Sequence, residues 1–139
     1  MYNSINSNNF KKIILSKKLF LKMDFEYIKK FHKIGTTQKL ERKKEIEEKY
    51  KKSKENKINY EENLKQKLFK NNNSWVITEN KYPYHFIDNT KHYLFWFKGA
   101  INYNLIEFCY RDKEIVYFEN IEGCKSIKSI NHVHIFIKD

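Results

Sequence analysis

Residues 131–138 alternate as a β-strand does. Val133, Ile135 and Ile137 fall on one face, and His132, His134, Phe136 and Lys138 on the other. The first face is all β-branched, which suits a half-buried sheet. The second carries two histidines side by side, with Cβ atoms roughly 6.5–7 Å apart. A chain with this stretch must build a sheet around it, and the pair is its most chemically suggestive feature.

The rest divides into two halves. From Asp24 the apolar spacing is helical. Asp24 can cap a helix containing Phe25, Ile28 and Phe31/His32, and Gly35 can end it. Thr36 and Thr37 offer a second N-cap, for a helix containing Leu40, Arg42, Ile46 and Tyr50. Residues 39–57 alternate in charge sign, as on the solvated face of an exposed helix. Tyr60, Leu64 and Leu68 recur every four residues, so a further helix runs to about residue 69. The polar run at 70–74 breaks it.

After Ser74 the chain turns apolar and aromatic. Pro83 fixes its own φ and biases Tyr82 away from helix. Residues 92–98 are apolar on both faces, which predicts a central strand covered on both sides. Residues 105–110 and 114–118 flank a polar triplet and read as a hairpin, and residues 120–130 as a loop around Gly123. Cys109, between Phe108 and Tyr110, reads as core. Helices first and strands after predict an α+β domain, with the helices packed on a small, mainly antiparallel sheet of about four strands. The expected boundaries are a basic leader over residues 1–23 and one domain over 24–139, helical over 24–70 and sheet-rich over 75–139.

The formal net charge is +11. A lysine-rich region over residues 11–57 could hold nucleic acid. Yet Lys, Asn, Ile, Tyr and Phe dominate, as an A/T-rich genome would produce. Arginine, the better reader of phosphate, stands only at Arg42 and Arg111. Compositional drift therefore accounts for the charge with less. Cys109 and Cys124 form no CxxC pair and read as reduced thiols in a cytoplasmic protein. No apolar run approaches membrane-spanning length. No glycine-rich phosphate loop, HExxH or nucleophile elbow occurs.

The signals of the second half have a recognisable order: Asn80, then Tyr82-Pro83-Tyr84, His92 and Trp96, Phe118 and Asn120, Lys125-Ser126-Ile127, and His132 to Phe136. In this order the chain resembles the family of the fungal N-acetylglucosamine-induced protein. Ile34-Gly35, Leu40, Arg42 and Tyr50 fit that family's helical lead-in, so the likeness covers about residues 24–139. His85 stands where the family carries an acidic residue, and Ile121 and Glu122 where it carries prolines. The family has no settled activity, and its sugar connection is one of gene response. The resemblance therefore implies an intracellular ligand-binding or regulatory module, with a small ligand or a protein as partner. Its candidate ligand-binding residues are Tyr82, Pro83, Tyr84, His92, Trp96, Asn120, Lys125 and Ser126.

A second reading takes the histidines as a divalent-metal site. His132 and His134 share a strand face, and His92 opens the other strongly apolar strand. If those strands were parallel neighbours, the histidines would gather at one end; if antiparallel, they would not. Glu107, Asp112, Glu114 and Glu119 are possible carboxylate partners. Such a site would serve a metal-dependent enzyme on a phosphodiester or a sugar derivative, with Tyr60 as the upstream nucleophile a nuclease would need. The plainer alternative is hydrogen-bonded packing histidines. Tyr82, Tyr84, Trp96 and Phe97 could likewise stack a base or a sugar, or simply fill the core.

Overall fold

The structure is a computed structural model that describes residues 23–36, 39–55 and 58–138. The leader's lysines and Thr37 lie outside the described residues. Helices α1 (Phe25–Lys29), α2 (Lys44–Glu55) and α3 (Tyr60–Leu68) precede strand β1 (Trp75–Glu79). Strand β2 (Lys91–Phe97), helix α4 (Tyr103–Cys109), β3 (Glu114–Phe118), a short 3-10 turn (Glu122–Cys124) and β4 (His132–Lys138) follow. The four strands form one sheet in the order β1-β2-β4-β3, every pair antiparallel. The chain has the expected α+β fold.

Asp24 caps α1 as its sequence requires, accepting from the Tyr27 amide at 2.8 Å. Phe25 and Ile28, one turn apart, are buried against Val116, Phe118 and Phe136. Gly35 follows with φ +78, a conformation that suits glycine. Leu40 and Arg42 are not helical: α2 begins only at Lys44. This irregular approach carries Leu40 into the core and Arg42 to the Tyr82 carbonyl.

The register lays out two faces. On the first, the rows run Val76–Trp96–His132, then Thr78–Leu94–His134–Phe118, then His92–Phe136–Val116. Helix α1 covers one end of this face. Helix α3, through Tyr60, Leu64 and Leu68, packs at the other. The opposite face carries Phe95, Phe97, Tyr117, Val133, Ile135 and Ile137, closed by Ile106 of α4. The sheet is thus the middle of three layers, and β4 is buried on both faces rather than half-buried.

Two expectations fail together on this second face. Residues 105–110 are not a hairpin strand: residues 103–109 form α4, and β3 pairs with β4 instead. Asn102 supplies the N-cap, its side chain accepting from the Asn104 amide at 3.1 Å. A helix here puts Ile106 at 0% exposure over the sheet. It also leaves Cys109 exposed and not in the core. Among the described residues no helix is long and apolar enough to cross a membrane.

Candidate functional site

The two central strands bring the histidines together despite running antiparallel. His92 pairs across with Phe136, and His134 with Leu94, so the two rings are diagonal neighbours. Diagonal side chains on one sheet face lie within reach of ring-bearing residues. His92 Nε2 lies 2.7 Å from His134 Nδ1. Both are buried at 3% and 4% exposure. Burial holds their pKa values well below that of free histidine. The Arg42 charge adds to this at His92, and the neighbouring His92 and His132 add to it at His134. Both rings are therefore neutral.

Proton counting then orders the network. Two neutral imidazoles share two protons among four nitrogens. The Tyr84 backbone amide donates to His92 Nδ1 at 3.2 Å, so that nitrogen carries none. The His92 proton sits on Nε2 and is donated to His134 Nδ1. His134 must then carry its own on Nε2, which faces the Asn120 carboxamide at 3.1 Å. The two ends of a carboxamide are alike in shape, and the network decides which is oxygen. Asn120 sits among three partners: His134 Nε2 and the Tyr84 hydroxyl, each 3.1 Å from its carboxamide, and the Cys124 carbonyl, 3.5 Å away and able only to accept. Asn80 is oriented independently. Its oxygen accepts from the Tyr82 amide at 2.9 Å, which turns its NH2 toward His92, 3.3 Å from either ring nitrogen.

His132 is held differently. Its Nδ1 lies 2.8 Å from the Ile130 carbonyl, which can only accept, so the proton is on Nδ1. Burial lowers its pKa, partly offset by that bond. Its ring lies 4.8 Å from the Trp96 ring. The Trp96 indole in turn donates to Thr78 Oγ1 at 2.8 Å.

Arg42 closes the lower side. Its Nε donates to the Tyr82 carbonyl at 2.6 Å and its Nη1 to Glu47 Oε2 at 3.0 Å. The guanidinium lies 4.4 Å over the Tyr50 ring. Burial works to raise the Glu47 carboxyl, but the Arg42 bond and charge prevail and hold it below its usual value. The Tyr50 hydroxyl donates to Ser126 Oγ at 2.8 Å, which ties α2 to the loop before β4.

Above these groups, between α3 and the sheet, lies a cavity of about 780 Å³. Tyr82, Trp96, Ser126, His132 and His134 line it, as do Arg42, Tyr50, Tyr60, Leu64, Thr78 and Asn80. Of the residues expected to bind a ligand, Pro83, Tyr84, His92, Asn120 and Lys125 are not in its wall. Tyr84, His92 and Asn120 are buried beneath it and fix His134. Phe97, a stacking candidate, packs on the opposite face.

The expected metal set is not assembled. Among the described residues no group of three His, Cys, Asp or Glu side chains is arranged to hold a metal ion. His92 and His134 spend facing nitrogens on each other, and His132 spends Nδ1 on a carbonyl. The carboxylates are elsewhere: Glu107 accepts from Tyr117 Oη at 2.6 Å, and Glu114 pairs with Lys29 at 2.7 Å. Arg42, expected in the lead-in helix with no role at the site, lies before that helix and lines the cavity. Its rarity in a lysine-rich chain was the available signal.

A buried, ordered polar network beneath an aromatic cleft can be compared with known proteins. The chain is similar to N-acetylglucosamine-induced protein 1 of Candida albicans. The two are 32% identical over an alignment of 110 residues, and the match covers 62% of this chain. That similarity supports the family relationship expected from the order of motifs. The chain spans 42% of that relative's length. The crystal structure of HTC1 shares the fold, with a TM-score of 0.55 at 17% identity, covering 94% of this chain and 83% of that one. No family model matches.

Proposed function

We propose that this domain binds a small anionic molecule with a ring or other flat apolar part, in the cavity between α3 and the sheet. The observation that carries this reading is the composition of the cavity wall. Trp96, Tyr82, Leu64 and Leu94 offer apolar and aromatic surface, as ligand sites generally do. The charged residues of the wall are Arg42, Lys67, Lys70 and Lys81 against Glu79 alone, an excess of positive charge that favours an anion. The buried histidine and asparagine network beneath the cavity supplies rigidity, which lowers the ordering cost of binding. The Candida relative's name records a response to N-acetylglucosamine, and a sugar derivative is one anion-bearing class that fits this chemistry.

A fragment screen by protein NMR tests the reading. Anionic ring fragments should shift the Trp96 indole and Leu64 methyl signals, and Leu64→Trp, which fills the cleft, should abolish those shifts. Hits scattered over the surface, or neutral fragments that bind as well as anions, would refute it.

A further inference from the structure

We infer that the cavity recognises an oxyanion that also carries a hydroxyl or N–H group, donated to Nε2 of His132. This rests on the ligand-binding reading above and specifies its chemistry. The Ile130 carbonyl fixes the proton of His132 on Nδ1, so Nε2 presents a bare lone pair. Among the described residues that nitrogen has no hydrogen-bond partner, yet no buried side-chain N or O lacks one. Nε2 is therefore open, and the ring, itself 7% exposed, lines the cavity.

The same reasoning applies to Arg42. Nε and Nη1 are spent on Tyr82 and Glu47, while Nη2 has no partner among the described residues, so it too faces open space. Its side chain is 6% exposed and lines the cavity. The wall thus presents a charged donor at Arg42 and a neutral acceptor at His132. Trp96 lies beside the acceptor, its ring tilted 39° to that of His132 and its indole N–H already committed to Thr78. An anion alone would satisfy Arg42 and leave the His132 lone pair facing it, which is repulsive. An anion with a donor group on its ring satisfies both. A buried site built to accept a hydrogen bond rejects the analogue lacking the donor, because its own group is then left unpaired.

The test compares matched probes by calorimetry on the full chain at pH 8. Glucose 6-phosphate and cyclohexyl phosphate form one pair, glucuronate and cyclohexanecarboxylate the other; each pair has one anion and differs in ring hydroxyls. Two variants accompany the native protein. His132→Asn keeps a donor to Ile130 and removes the acceptor at the Nε2 position, while His132→Gln places an amide oxygen there. The hydroxyl-bearing member of one pair should bind the native protein and the Gln variant. Its affinity relative to its ring analogue should fall about tenfold in the Asn variant, the loss of one hydrogen bond. Which pair responds tells phosphate from carboxylate. If both members bind but their ratio is the same in all three proteins, the His132 assignment is wrong and the anion site stands. If no member of either pair binds, the anion-site reading itself fails.

Discussion

The buried His92–His134 pair predicts that this fold weakens in mild acid. Both rings are neutral in the folded protein because burial depresses their pKa values well below 6.5. Unfolding exposes them, so below pH 6.5 the unfolded chain takes up protons that the folded chain refuses. Stability is full above that value and falls as pH falls. Integrating from pH 7.5 to 5.5, each ring that stays neutral contributes about 1.4 kcal/mol, so the pair costs about 3 kcal/mol. For a domain of this size that lowers Tm by about 10 °C. His32 and His132, also depressed chiefly by burial, act in the same direction. Glu47, Glu61 and Asp88, whose pKa values are also lowered, lose their contributions only near pH 4 and below, outside the window. Urea unfolding at pH 7.5, 6.5 and 5.5 measures the slope. Imidazole NMR shifts of the native protein should show neither ring titrating over that range. A stability flat between pH 7.5 and 5.5, or a His92→Phe/His134→Phe double variant with the same slope as the native protein, would refute the reasoning.

Other consequences follow from single contacts. Gly35→Ala should destabilise by more than 2 kcal/mol (about 1 for the left-handed φ and the rest for the clash), since the new Cβ would meet the Glu119 carbonyl at 2.7 Å. Gly99→Ala, with φ +72 and open space, should cost only about 1 kcal/mol by the same thermal denaturation. Ile106→Ala removes the one α4 side chain at 0% exposure and should cost about 2–5 kcal/mol in chemical unfolding. An unchanged midpoint there would mean that α4 does not close the second face. Thr78→Val strips the Trp96 indole of its acceptor and should cost about 1–3 kcal/mol, with a shift in Trp96 fluorescence.

Alternation and turn chemistry are local properties, and where they are strong the chain can be read directly. β4 follows from the period-two pattern through Val133, Ile135 and Ile137, and β2 from its unbroken apolar run. Asp24 and Gly35 bracket the α1 segment, the first through its capping carboxylate and the second through the left-handed backbone that glycine allows. The run at 105–110 defeats this approach because a short apolar stretch fits a strand or a helix equally. The choice falls to the uncovered face of Phe95, Val133 and Ile135, which needs a lid. Asn102 was the local signal that a helix begins there.

The site divides the same way. The sequence places His132 and His134 on one face because a strand's side chains alternate by geometry alone. It cannot say what that face meets. Strand order and register put His92 diagonal to His134, and only folding brings Arg42, forty residues earlier in the chain, beneath the sheet beside Tyr82. Whether the histidines would hold a metal or each other depended on distances between strands, which no pattern along one strand contains. Sequence by itself determined the α+β class, the two central strands and the residues available to the site. Tertiary structure decided their partners, because hydrogen bonds and burial are set by neighbours distant along the chain.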